Sequence, residues 1–85
     1  MSDQQIIQQI KHKNQQGITA LLDKYGAALY GSIYEQVALE SAAKAMMQEV
    51  VIAVWKDIDN YNQQQTKFFT WLLRHCKKHI TNSVK

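Results

Sequence analysis

The sequence lacks most of the features that mark secreted, membrane-spanning or disulfide-stabilised proteins. Among 85 residues there are no prolines, three glycines and one cysteine, Cys76. A single cysteine excludes an internal disulfide, and the N-terminus has no charged-then-apolar run typical of a secretion signal. No apolar run approaches the roughly 20 residues that cross a bilayer. We therefore expect a cytoplasmic protein without a membrane segment.

Acidic residues are absent from the last 26 positions. All seven acids lie at or before Asp59, so residues 1–59 carry a net charge of −2 and residues 60–85 carry +5. This regional asymmetry is more informative than the modest total of +3. A cationic segment without acids suits a phosphate backbone, and the competing interpretation is a solvated helix face that keeps the protein soluble.

Motifs that carry catalysis are also missing. The sequence has no glycine-rich phosphate loop, nucleophile elbow or paired carboxylates, so we expect neither an enzyme nor a small-molecule substrate or cofactor. Among His75, Cys76 and His79, residue types that bind zinc, residues four apart share a helix face, but a third ligand borne by that helix is not evident. Packing is the preferred role for these three residues, and no metal site is predicted.

What the sequence does contain is apolar periodicity at three and four residues. It predicts an all-α fold, a small orthogonal or bundle-like domain of three main helices plus a short N-terminal helix. The helices are expected at about 3–13, 15–38, 41–58 and 67–83, within one domain over 1–85 and without a C-terminal helix-turn-helix domain. Gly26 and Gly31 fall inside the second helix, where they either permit close packing or are tolerated.

Polar residues mark the expected helix starts. Ser2 and Gln5 have the spacing of a capping box for the first helix. The predicted N-caps of the next three helices are Asn14, Ser41 and Thr66.

The third helix has an informative outward face. Its core stripe is expected along Ala43, Met46, Met47, Val50, Val54 and Ile58, with Val51 and Trp55 at its edges. The opposite side contains Ala45, Gln48, Glu49, Ile52 and Lys56. An isoleucine among polar residues on that side favours contact with a partner.

The final helix has two distinct faces when residues 67–85 are placed at 100° per residue. The face expected to dock on the core contains Phe68, Leu72, Cys76, His79 and Ser83, flanked by Phe69 and Ile80. The second face is a cationic stripe of Lys67, Thr70, Arg74, Lys78, Thr81 and Lys85, with Trp71 on its border and Lys77 on its far edge. Cations beside an aromatic ring suit single-stranded nucleic acid. The polar segment 59–66, DNYNQQQT, is predicted to be the loop before this helix.

Three segments together resemble the conserved second region of bacterial RNA polymerase sigma factors, closest to the extracytoplasmic-function type. They are LLDKYGAALYGSIY, AAKAMMQEVVIAVWKDIDNY and FFTWLLRHCKK, and the resemblance covers about residues 6–85. The most specific pieces are Gln48-Glu49-Val50, with Trp55 seven residues after Gln48, and Thr70-Trp71-Leu72 at the start of the basic helix.

The resemblance implies two binding surfaces. One binds the clamp helices of the polymerase β′ subunit, and by position it would comprise Ala45, Gln48, Glu49 and Ile52. The other recognises and melts the promoter minus-ten element and holds the non-template single strand. The implied DNA-binding residues are Asn60, Tyr61, Asn62, Lys67, Thr70, Trp71, Arg74, His75, Lys77 and Lys78. An anti-sigma factor is a further partner that the resemblance admits.

The chain also departs from the family pattern. Lys44 and Ala45 stand where the family often has an acidic pair, and His75-Cys76-Lys77-Lys78 replaces a common Ile-Ala-Arg-Asn run. Asn82 stands in place of the usual later aspartate. Two alternatives to the sigma function remain: a small helical module that binds only protein, and, disfavoured, a duplex-binding helix-turn-helix protein.

Overall fold

A computed structural model describes residues 1–83 as four α-helices and one short 3₁₀ turn. The helices are α1 (Asp3–Lys11), α2 (Gln15–Val37), α3 (Glu40–Asp57) and α4 (Phe68–Ser83), and the 3₁₀ turn is Ile58–Asn60. This confirms the predicted all-α class of three main helices and a short N-terminal one.

The first two helix starts have the predicted caps. The Gln5 N–H donates to Ser2 Oγ and the Ser2 N–H donates to Gln5 Oε1, so the capping box is complete. At α2, Asn14 Oδ1 accepts from the Gln16 N–H at 2.9 Å. These bonds satisfy backbone donors that the first helical turn leaves without a partner.

The other two predicted caps are wrong. Helix α3 begins at Glu40, before Ser41, and Leu39 precedes it without a side-chain cap. Helix α4 begins at Phe68, where the Lys67 carbonyl accepts from the Trp71 N–H at 3.0 Å. The Thr66 hydroxyl instead accepts a hydrogen bond from Arg74 Nη1 at 3.4 Å. Helix α1 is also shorter than expected, because Lys13 adopts a left-handed φ of 56° that turns the chain into α2.

The core lies where α2 packs against each of the other three α-helices. Helix α1 contributes more than its length suggests, since Ile6, Ile7 and Ile10 are all fully or almost fully buried. The remaining core residues come from the inner faces of α2, α3 and α4 and from the segment between the last two. They are Leu21, Leu29, Ile33, Ala43, Met46, Val50, Val54, Ile58, Tyr61, Phe68, Leu72, Cys76 and Ile80.

Close approach of α1 and α2 depends on Gly17. A Cβ atom there would lie 2.8 Å from the Gln9 Cβ and 2.9 Å from the Ile10 backbone nitrogen. A Cβ at Gly26 would meet only ordinary contacts with Leu22, and one at Gly31 would meet nothing within 4 Å. Of the two alternatives for Gly26 and Gly31, toleration is therefore the one that the packing supports.

A second contact fixes the start of α1 to α2. The Tyr25 hydroxyl donates to the Asp3 carboxylate, 2.7 and 2.8 Å from its two oxygens, and Lys24 Nζ lies 2.7 Å from Oδ1. The Tyr25 ring stacks on Phe69 of α4 with centroids 5.2 Å apart. Three helices thus meet at one tyrosine.

Over the described residues 1–83, every helix is too short or too polar to cross a membrane.

Candidate nucleic-acid and partner interfaces

Helix α4 presents a cationic face to solvent. Its inner face is anchored by Phe68, Leu72, Cys76 and Ile80, which are all buried. The opposite side exposes Lys67, Thr70, Arg74, Lys77, Lys78 and Thr81. Lys85, which was predicted to extend the stripe, and the side chain of Ser83 lie outside the described part of the chain. The name cationic face refers below to these six exposed residues.

Trp71 lies at the border of the cationic face and is partly buried. Its ring contacts Tyr61 at a centroid distance of 5.0 Å and stacks on Phe68 at 6.2 Å. The edge contact with His75 is closer, at 4.5 Å. Packing on three sides holds the indole in place, so its remaining exposed part is a fixed apolar surface next to the cations.

A shallow pocket joins the cationic face to the end of α3. It is lined by Asp57, Trp71, Arg74, His75 and Lys78. Arg74 and Lys78 lie one helical turn apart, and Asp57 is the one acidic side chain that lines this pocket. The pocket thus combines two cations, an aromatic surface and a carboxylate.

The segment between α3 and α4 is ordered by its asparagines. Asn60 Nδ2 donates to Asp57 Oδ1 at 2.6 Å, and Asn62 Oδ1 accepts from the Gln64 N–H at 2.9 Å. The Asn62 carbonyl also accepts from the backbone N–H groups of Gln65 and Thr66. Both asparagine side chains remain exposed, so the predicted recognition residues Asn60 and Asn62 lie on the surface.

Tyr61 lies inside the fold, with 7% of its surface exposed. Its hydroxyl donates to the Thr66 carbonyl at 2.6 Å, and its ring packs on Phe68 at 5.5 Å and on Trp71. The sequence suggested a ring available for stacking with a base. The 3₁₀ turn instead directs the ring inward, where it closes the segment between α3 and α4.

His75 is also buried, with 9% of its surface exposed. Its Nε2 lies 3.3 Å from Asp57 Oδ2, whereas its Nδ1 is buried and has no hydrogen-bond partner. Burial lowers the pKa of His75 and outweighs the opposing effect of Asp57, while His79 and Lys78 lower it further. The imidazole is therefore neutral at neutral pH. The buried face of α4 is wider than the predicted docking face, because His75 on one edge and Ile80 on the other are both buried, whereas His79 is only partly buried.

His75, Cys76 and His79 are the residues at which the sequence raised a metal site and then favoured packing. Within the described residues, no group of three or more histidine, cysteine or acidic side chains is arranged to hold a metal ion. Cys76 is fully buried, and this burial raises the pKa of its thiol to about 11. Such a thiol stays protonated at neutral pH and packs as a small apolar residue.

The outward face of α3 is exposed as its periodicity predicted. Ala45, Gln48, Glu49 and Ile52 all face solvent, and Ile52 is 53% exposed. Single exposed apolar side chains are common on protein surfaces, so Ile52 indicates a binding surface only if its neighbours are apolar too.

Those neighbours form an apolar groove that the sequence did not reveal. It runs between α2 and α3 and is lined by Ile18, Leu22, Met47, Val51, Ile52 and Trp55, with Gln15, Thr19 and Gln48 at its edges. This set is called the α2–α3 groove below. Lys13 closes one end, where its Nζ donates to the Trp55 carbonyl and lies 5.0 Å from the centre of the indole ring. The sequence signal that could have indicated this groove is the position of Leu22 and Val51 at the edges of the apolar faces of α2 and α3.

Comparison with protein-family models, with curated proteins and with solved structures gives no match to this chain.

Proposed function

We propose that the chain acts as the second region of a sigma factor. In this proposal it binds the clamp helices of the polymerase β′ subunit through α3, and recognises and melts the promoter minus-ten element through α4 and the preceding segment. The observation that carries the proposal is the cationic face of α4, which has no acidic residue of its own and is bordered by the fixed ring of Trp71.

The chemistry of opened DNA supports the assignment to α4. A single strand offers phosphates and unstacked bases, and binding needs cations for the former and aromatic or pocket surfaces for the latter. Arg74 and Lys78 supply the charge beside the ring of Trp71. Stacking of a base on an aromatic side chain contributes roughly 1–3 kcal/mol.

The polymerase-binding half rests on α3 and the α2–α3 groove. An amphipathic helix binds such a groove through apolar residues spaced three and four apart. Gln48 and Ile52 line this groove, and Glu49 is exposed next to Gln48 on the same helix, so polar and apolar contacts are both available on α3. An anti-sigma factor would compete for this surface.

The proposal describes binding rather than catalysis. It involves no cofactor or small-molecule substrate, and it places the chain in the cytoplasm, where the polymerase works. The lone, buried thiol of Cys76 is compatible with that reducing compartment.

The test of polymerase binding is a titration with a labelled fragment of the β′ clamp helices. We expect saturable binding that Glu49→Lys abolishes and Gln48→Ala weakens. Glu35→Lys is the matched control, because it makes the same charge change at an exposed position on α2. The effect of Ile52→Asp on this binding is compared with that of Leu39→Asp. Leu39 is the matched control because both residues are more than half exposed.

Equal affinity of the wild type and the Glu49→Lys variant would reject the assignment of this face. Absence of any binding would reject the polymerase-binding half of the proposal.

The alternative function is a helical module that binds only protein, and the α2–α3 groove is the observation that favours it. A titration with single-stranded DNA separates the two functions. The sigma function predicts that a minus-ten-like strand binds more tightly than a scrambled strand of equal length. The protein-only module predicts no base preference or no binding.

A further inference from the structure

Asp57 makes two contacts that join three parts of the fold. Its Oδ1 accepts from Asn60 in the 3₁₀ turn at 2.6 Å, and its Oδ2 lies 3.3 Å from His75 Nε2 on α4. Asp57 itself is the last residue of α3. One carboxylate therefore holds the segment before α4 to α4 itself, next to the pocket lined by Trp71, Arg74 and Lys78.

The chemical state of His75 is set by this arrangement. The carboxylate favours the tautomer with its proton on Nε2, which leaves Nδ1 as an unprotonated nitrogen in a buried site. A second proton on Nδ1 would create a buried N–H without an acceptor, next to the edge of Trp71. Leaving such a donor unsatisfied is costly, so protonation favours a state in which the ring reaches water.

The charged groups around His75 act in both directions. Asp57 faces it from α3 and favours the imidazolium, whereas Lys78 and His79 on α4 disfavour it. Burial is the largest effect and lowers the pKa of His75 below its ordinary value of 6.5. His75 thus binds a proton more tightly when its ring reaches water, the open state, than when it is buried beside Asp57, the closed state. The closed state is fully favoured above about pH 6.5, and this preference is lost as the pH falls through the lowered pKa.

We propose that Asp57 and His75 form a positioning latch that holds Asn60 and the segment 61–67 against α4, and that acid opens this latch. In the closed state the Asn60 side chain and the Trp71 ring have fixed positions beside the cationic face. In the open state the imidazolium turns to water, the edge contact with Trp71 is lost, and Asp57 no longer contacts α4. The latch itself is independent of DNA. Its consequence for base preference rests on the sigma function proposed above.

The latch is tested by fluorine NMR of the full chain carrying 5-fluorotryptophan. Trp71 contacts His75, and Trp55 lies beside Lys13 and serves as an internal reference. We expect the Trp71 resonance to shift in a transition centred below pH 6.5, while the Trp55 resonance does not follow it. His75→Gln keeps a donor for Asp57 but cannot be protonated, so the transition should be lost. His79→Gln, one turn further along α4, is the matched control and should retain it.

Hydrogen exchange of residues 60–67 provides the second measurement. The wild type should lose protection in this segment over the same pH range, and His75→Gln should not. A transition that survives in His75→Gln, or a His75 midpoint at or above 6.5, would overturn the latch.

Binding to single-stranded DNA then separates failure of the latch from failure of the sigma function. We expect the affinity ratio of a minus-ten-like strand to a scrambled strand to fall in acid for the wild type and to stay constant for His75→Gln. Identical pH dependence of this ratio in both proteins would overturn the positioning role. No DNA binding at any pH, with the Trp71 transition intact, would reject the sigma function and leave the latch standing.

Discussion

Gly17 is the residue at which one added carbon should matter most. A Cβ atom there would approach the Ile10 backbone nitrogen to 2.9 Å, and a backbone atom cannot move aside as a flexible side chain can. We predict that Gly17→Ala destabilises the fold by about 1–3 kcal/mol, the usual cost of overpacking. Urea denaturation followed by circular dichroism measures this change in the free energy of unfolding.

Gly31→Ala is the matched control on the same helix. A Cβ there meets nothing within 4 Å, so the higher helix propensity of alanine should stabilise the protein by up to about 1 kcal/mol. If both substitutions changed stability by the same amount and sign, the close approach of α1 and α2 at Gly17 would be wrong.

Asp3 and Tyr25 give a second prediction at the residue scale, which concerns acid. Burial alone would raise the pKa of Asp3, but hydrogen bonds from Lys24 and Tyr25 and the charge of Lys24 lower it below 3.8. The carboxylate therefore contributes stability above about pH 3.8, and this contribution is lost as the pH falls through the lowered native pKa. Tyr25→Phe should cost about 0.5–1.5 kcal/mol at neutral pH and make the loss in acid smaller.

Thermal unfolding between pH 2 and pH 7 would measure this effect of Tyr25→Phe. Tyr34→Phe is the control, because Tyr34 is 44% exposed near the C-terminal end of α2. An unchanged acid dependence in Tyr25→Phe would show that Asp3 does not depend on this hydroxyl.

At the scale of the elements, α1 is too short to be stable alone. Its nine residues are fewer than an isolated helix needs in water, so packing must stabilise it. Ile10 is fully buried between α1 and α2, and Ile10→Ala should cost about 2–5 kcal/mol. Ile52→Ala, at a position that is 53% exposed, should cost far less. A comparison of the two denaturation midpoints tests whether α1 belongs to the core.

The sequence predicted the helices well because apolar residues recur with the helical period on each of them. Ser2 and Asn14 were predicted as caps because their bonds are local. Ser41 and Thr66 were not caps, since the actual start of a helix also depends on how its first turn packs. Thr66 is engaged by the Tyr61 hydroxyl and lies near Arg74, and neither contact can be inferred from neighbouring residues.

The candidate surfaces were predictable only where one helix defines them. The exposure of Gln48, Glu49 and Ile52 follows from the period of α3 alone. The α2–α3 groove was missed because it depends on how two helices pack. The burial of His75 was missed for a similar reason, since its acceptor Asp57 belongs to another helix.

At the scale of the whole molecule, charge and function are expected to divide along the chain. The acids belong to residues 1–59, and the cationic face belongs to α4. If the chain functions as proposed, a substitution on α4 should change the salt dependence of DNA binding without changing binding to the clamp helices. A substitution at Glu49 on α3 should have the opposite pattern.

Arg74→Ala and Lys78→Ala test this division through counterion release. Each should weaken binding to single-stranded DNA and reduce the slope of log affinity against log salt by roughly 0.7, because in the proposed function each side chain contacts one phosphate. Lys44→Ala is the control, since Lys44 is exposed and already paired with Glu40 at 3.1 Å, so its removal should leave the slope nearly unchanged. Fluorescence anisotropy over a salt series gives the slopes, and circular dichroism shows that each variant remains folded. An equal slope for the wild type and both α4 variants would remove Arg74 and Lys78 from the DNA-binding surface. An equal reduction of the slope in all three variants would mean that only the total charge of the protein matters.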